Sequence, residues 1–145
     1  MATNTFAGPI DYVVFAFPSD ALIGAGLKTM LDRVASGVIE LLDIDAVRLG
    51  DDGQPVRVPL EDLQEPGGID MSALSTVQSK LLDTEDLHDI ATELDPAQFA
   101  LVIIYEDRSL ASAADAFARI GGIEIFTGAV DIADLHAAIE GENEK

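Results

Sequence analysis

The sequence predicts an α+β fold, a ferredoxin-like double βαβ sandwich with a helical insert and an extra C-terminal helix. Three observations carry that reading. Two apolar runs, YVVFAF at 12–17 and QFALVIIYE at 98–106, are strand-sized and apolar on both faces, as central strands with cover on each side are. Each is followed by a helical pattern, then by glycine and a strand that opens on Ile-Glu. Residues 12–40 and 100–124 therefore repeat one plan, with Glu40 and Glu124 in matching places, and two such halves in one chain are the mark of that fold.

Residues 1–9 form a short mobile lead, residues 10–140 a single domain with its insert at 61–97, and 141–145 a charged tail. The first strand runs over 10–17. A helix from Asp20 to Ser36 follows, its inward stripe made by Ile23, Leu27, Met30, Leu31 and Val34. Gly37 closes it, in the left-handed position that glycine fills cheaply. The second strand spans 38–49, and GDDG at 50–53 turns the chain into a short strand at 55–60, a hairpin signal. EPGG at 65–68 breaks the pattern. Helices are predicted at Met71–Leu82 and Glu85–Leu94, the second capped by Asp83 or Thr84 and stopped by Asp95-Pro96. After the strand at 98–106 come a helix over Ser109–Ile120, a strand over 123–128 and a last helix over Ile132–Glu140. In this plan the strands at 12–17 and 99–105 are central. Those at 38–49 and 123–128 lie at the edges, where Glu40, Asp43, Asp45 and Glu124 discourage unwanted pairing.

Crossover helices in such a fold cover one sheet face only. Val13, Phe15 and Phe17 alternate with Tyr12, Val14 and Ala16, so both faces of the first strand need cover. Left bare, the second face would be a larger apolar patch than monomers normally expose. The insert or the terminal helix is expected to cover part of it, and a second copy of the chain the rest.

Charge narrows the function further. Of 145 residues, 27 are Asp or Glu and 8 are Lys or Arg, a net charge of −19. Such a surface repels phosphate backbones, which excludes nucleic acid as a partner, and it is ill suited to anionic membranes. It reads as a solubility adaptation, with a cationic protein partner as the alternative. No cysteine is present, so disulfides, thiolate metal sites and thiol catalysis are excluded. Apolar runs are too short to span a bilayer, and the amino terminus has no basic and apolar leader. A cytoplasmic protein is expected.

PSDALIGAGLKTML at 18–31 has the look of a phosphate loop and fails its test. Leu27 separates Gly26 from Lys28, Ala21 stands where the first glycine belongs, and Thr29 replaces the third glycine of a dinucleotide fingerprint. What remains is a close-packing or flexible helix start, with an anion site at Gly24 and Gly26 as the sharper alternative. His88 and His136 lie on separate helices without ligand spacing, so no metal or other cofactor is expected. Asp43 and Asp45 share one strand face and could serve as an acid pair. Glu106-Asp107-Arg108, at a strand end, reads as a loop salt bridge or as part of a ligand site.

Four stretches, GPIDYVVFAFPSD, SGVIELLDIDAVRLGDDG, LLDTEDLHDIATELDPAQFALVIIYED and RIGGIEIFTGAVDIADLHAAI, together resemble a bacterial, mainly actinobacterial, family of small acidic proteins of unknown function. The resemblance covers residues 8–140 and is distantly similar to small proteins with general-stress labels. It implies that Gly8-Pro9, Pro18, Gly37, Asp43 and Glu106 belong to the recurrent pattern. It supplies no catalytic residue, and tryptophans associated with the loop after the third long strand are absent from this chain.

The expected function is a non-enzymatic regulatory or structural homo-oligomer, a dimer first, meeting its copy through Val13, Phe15 and Phe17. The alternative is a small-ligand sensor with a pocket between sheet and insert, reached past Gly24, Gly26, Glu106, Asp107 and Arg108. A carboxylate-based enzyme is the third reading.

Overall fold

A computed structural model describes residues 6–63, 74, 77 and 81–128. The helices expected at Met71–Leu82 and Ile132–Glu140, and the tail, lie largely or wholly outside those residues. The order is β1 (Ile10–Pro18), α1 (Gly24–Ala35), β2 (Ile39–Leu49), β3 (Pro55–Val58), a 3-10 turn (Leu60–Asp62), α2 (Thr84–Ala91), β4 (Gln98–Asp107) and α3 (Ala111–Ala118). The chain is thus a mixed α+β protein with a four-stranded antiparallel sheet in the order β1-β4-β2-β3.

β4 lies between β1 and β2 and is antiparallel to both, pairing Val13 and Ile44 with Ile103 on its two sides. β1 and β2 are therefore parallel to each other and joined by α1, which is one split βαβ unit. Two placements differ from the sequence expectation. β2 is interior, because the hairpin strand β3 pairs along its outer side from Ala46↔Val58 to Leu49↔Pro55. Residues 122–128 form no strand, so among the described residues β1 is an edge.

α1 begins at Gly24, four residues later than the expected start at Asp20. Pro18 accepts from the Ala21 amide, and Ser19 donates to the Ala97 carbonyl, so the residues after β1 form a turn before the helix starts. Its other end is as expected: Gly37 sits at φ 79°, and the Gly37 and Val38 amides return to Val34 and Arg33 in a Schellman closure. One sheet face, with Ile44, Ala46, Phe99, Leu101 and Ile103, packs under Ile23 and Leu27 of α1 and under Leu60 and Leu74.

The opposite face carries Val47 and Ala100 and is covered by Leu87, Ala91 and Leu94 of α2 and its exit. The insert does supply part of a third layer. α2 is held by a capping box: the Asp83 carboxylate accepts from the Asp86 amide at 2.8 Å, and the Asp86 carboxylate from the Asp83 amide at 3.1 Å. Its cover stops short of β1, where Tyr12 is 75% exposed.

Because the box satisfies orphan amides that nothing else in the first turn meets, Asp83→Ala should cost about 1 kcal/mol of stability. Chemical denaturation is the check.

Candidate functional site

Three clusters contain the residues singled out by the sequence. The first is acidic. Asp43 and Asp45 lie on the α2 side of β2 and are 1% and 2% exposed, far from the solvated edge pair expected. A bulge at Leu42, between Leu41↔Tyr105 and Asp43↔Ile104, sets the face on which they lie. Asp43 accepts from its neighbour's amide, Ile44, at 2.9 Å and from the Leu81 amide at 3.0 Å. The Asp45 carboxylate is 2.7 Å from the Arg57 guanidinium, whose second nitrogen donates to the Leu82 carbonyl at 3.0 Å. Both acids are employed in fastening the insert, at 81–82 just before α2, onto β2 and β3. The solvated reading fails because the chain at 81–82 and the Arg57 side chain lie against these carboxylates on the α2 face, and only bonded acids are tolerated indoors.

The second cluster is at the far end of β4. The Arg108 guanidinium bonds both Glu106 oxygens, at 2.9 and 3.2 Å, and the Phe6 carbonyl at 3.2 Å. It also lies 5.5 Å from the centre of the Phe6 ring, a cation–π contact. Glu106 accepts from the Gly8 amide at 2.8 Å, and the Asp107 amide donates to Pro9. A Cβ on Gly8 would overlap the Asp107 carbonyl, so the lead can lie this close only as glycine. Asp107 accepts from the Ser109 amide at 2.9 Å. The Ser109 hydroxyl first, and that amide second, hold its carboxyl below the usual range. Glu106 and Arg108 thus form the salt bridge the sequence suggested, and it clamps the amino-terminal lead.

The third is a groove of about 660 Å³ between α1 and β1. Val13, Phe15 and Phe17 lie along its β1 side, and Leu22, Gly26 and Met30 along its helix side. The Phe15 and Phe17 rings are 6.3 Å apart, and Phe17 meets Phe99 at 5.4 Å, so an aromatic row floors one end. Gly24 is buried at the start of α1. The structure brings Val13, Phe15, Phe17 and Gly26 together, and Ile39 and Tyr105 extend the groove toward Glu106 and Asp107, but Arg108, Glu106 and Asp107 themselves do not line it. A shallower groove of about 380 Å³ lies on the opposite face, between Tyr12, Val14, Val102 and Ile104 of the sheet and Ile90 of α2, with Asp86 and Asp89 at its rim.

Sequence reasoning missed Arg57. Its signal was available in the alternation of PVRVPL opposite two acids, but only the pairing of β3 with β2 makes it legible.

These features define a small α+β protein with apolar grooves among its described residues, where no helix is long and apolar enough to cross a membrane. The chain belongs to the Family of unknown function (DUF6325), which matches residues 6–139. No curated protein and no solved structure matches it.

Two outcomes follow from the polar clusters. Arg57→Ala strips the ion pair from a buried carboxylate and should cost about 2 kcal/mol, with faster hydrogen exchange at the Leu81 and Leu82 amides as its local signature. Ser109→Ala should raise the Asp107 pKa toward the ordinary carboxylate value in an NMR titration. A depressed pKa in the folded state stabilises above the unfolded value and is lost as pH falls through the folded one. The variant should therefore lose a little stability near neutrality and none in strong acid.

Proposed function

We propose that the protein is a non-enzymatic homo-oligomer with a regulatory or structural role in the cytoplasm, most simply a dimer. The observation that supports this reading is β1 itself. It is an edge among the described residues, its Tyr12 and Ile10 are exposed on one face, and Phe15 is half exposed above an open groove on the other. An apolar edge strand of nine residues left to water is a site of association. The acids that an enzyme could use support the same reading, because Asp43, Asp45 and Glu106 are engaged in holding the fold. The bacterial setting implied by the sequence resemblance belongs to this proposal as well.

The groove between β1, β4 and α2 favours a second reading, a sensor for a small ligand. Its apolar walls and the Asp86 and Asp89 rim suit an apolar molecule with a cationic end. A thermal-shift screen with such amphiphiles would raise the melting midpoint in a dose-dependent way if this reading holds.

Light scattering at micromolar concentration tests the first reading, with twice the chain mass expected. A lone chain at that concentration overturns it. Phe15→Asp should weaken self-association about tenfold or more, since it places a charge on the apolar floor of the groove.

A further inference from the structure

α3 and the residues after it are the least covered apolar part of the described chain. α3 buries none of its residues. Phe117 is 63% exposed and Phe126 92%, and Ile120, Ile123 and Ile125 are as open. Yet the arm from Ser109 to Gly128 is built with care at its root and its bend. The Arg108 amide donates to Val38, and the Ser109 amide is capped by Asp107. The bend is closed by Gly121 at φ 91° and by the Gly122 amide, which returns to Phe117. A Cβ at Gly122 would press on the Phe117 backbone, so the bend specifies glycine there.

The same molecule has a space of the matching kind. Beside α1, on its sheet face, is the apolar groove of about 660 Å³, and next to it is the edge of β1, unpaired among the described residues. The internal repeat says what belongs there. In the first half the helix α1 covers this face and is followed by β2, which opens on Ile39-Glu40. In the second half α3 is followed by Ile123-Glu124. A helix beside α1 and a strand beside β1 would complete the second βαβ unit and give the full double βαβ sandwich.

The arm does not take that place in its own chain. To lie antiparallel to β1, residues 123–128 would start at the Pro18 end. Instead Glu124 accepts from the Ala7 amide, beside the Ile10 end, and Ile120–Glu124 gather with Leu110 and Phe117 around Phe6. The lead that Glu106 and Arg108 clamp holds the arm away from its own groove. Resting on the oligomer reading above, we infer that two copies exchange this arm. α3 of one chain fills the groove between α1 and β1 of the other, and residues 123–128 add a strand to the other's β1. Reciprocal exchange closes with two-fold symmetry, and swapping an identical element is a low-cost route to a dimer. It also covers in one step two apolar exposures among the described residues, the open groove and the arm.

The chain has no cysteine, so introduced thiols are unambiguous. Thr29 and Ala114 lie near the middles of α1 and α3, and helices packed side by side run about 10 Å apart. Copies with Thr29→Cys are mixed with tagged copies bearing Ala114→Cys, allowed to exchange subunits and treated with a short bismaleimide. A covalent mixed dimer is expected. A second variant, Phe126→Asp, alters a side chain that the lone chain leaves in water. It should raise the dissociation constant about thirtyfold or more while the separated subunit stays folded. A wild-type dimer that gives no mixed cross-link overturns the exchange and leaves the oligomer standing, as does a Phe126→Asp dimer of unchanged affinity. A wild-type monomer, with cross-linking only inside a chain bearing both cysteines, overturns both.

Discussion

Everything in this fold depends on β4 having no free side. Its two edges are taken by β1 and β2 along nearly its whole length, and Phe99 to Ile103 are buried without interruption. Two features go with a strand so placed. Both neighbours run against it, so β1 and β2 are parallel to each other and α1 crosses between them. Both faces must also be roofed, because an unroofed Val102 or Leu101 would expose apolar surface beside a satisfied backbone ladder. α1 roofs one face and α2 the other, each where β2 and β4 meet. Neither reaches fully over β1, and the molecule's open surface follows from that shortfall.

The polar features serve the same arrangement. A helix carried within a long insert has much chain entropy against its docking. Asp43, Asp45 and Arg57 offset it at one point, by bonding the main chain at 81–82 just before the Asp83 cap. At the other end of the sheet Glu106 and Arg108 fix the lead against the start of β1. The two clusters are thus fasteners at opposite ends of one sheet.

The strands at 10–18 and 98–107, the Gly37 closure and the capped α2 were legible because each rests on local chemistry: apolar runs, a left-handed glycine, an acid before a helix. Strand position was not. The acids of β2 suggest an edge, and the charge pattern of an edge is the same as that of a buried strand whose acids have partners. Only the partner separates them, and Arg57 is twelve residues further along, on β3. The start of α1 was not legible for a similar reason, since Pro18 and Ala97 hold Ala21 and Ser19 in a turn ahead of the helix. The pattern at 123–128 reads as a strand, and its alternation is genuine, but a strand needs a neighbour that periodicity cannot name. The groove needed both strand order and helix placement, so its residues were visible singly and not as a site.

The charge of −19 bears on how such a chain could meet its copy. Two such bodies repel over about 8 Å at physiological salt, and the repulsion must be overcome locally. Local composition favours that. Residues 109–128 contain two acids, Asp115 and Glu124, and one base, Arg119, while β1 has Asp11 as its lone charge. The acids gather elsewhere, on the hairpin turn at 51–52 and around α2. Burying apolar surface is non-directional and gains at roughly 25 cal/mol per Å², so a weakly charged, aromatic patch can overcome a repulsion that falls off within one screening length. In the proposed dimer, the same acidity would keep the remaining surfaces apart and leave β1 and the arm as the faces on which close approach costs least.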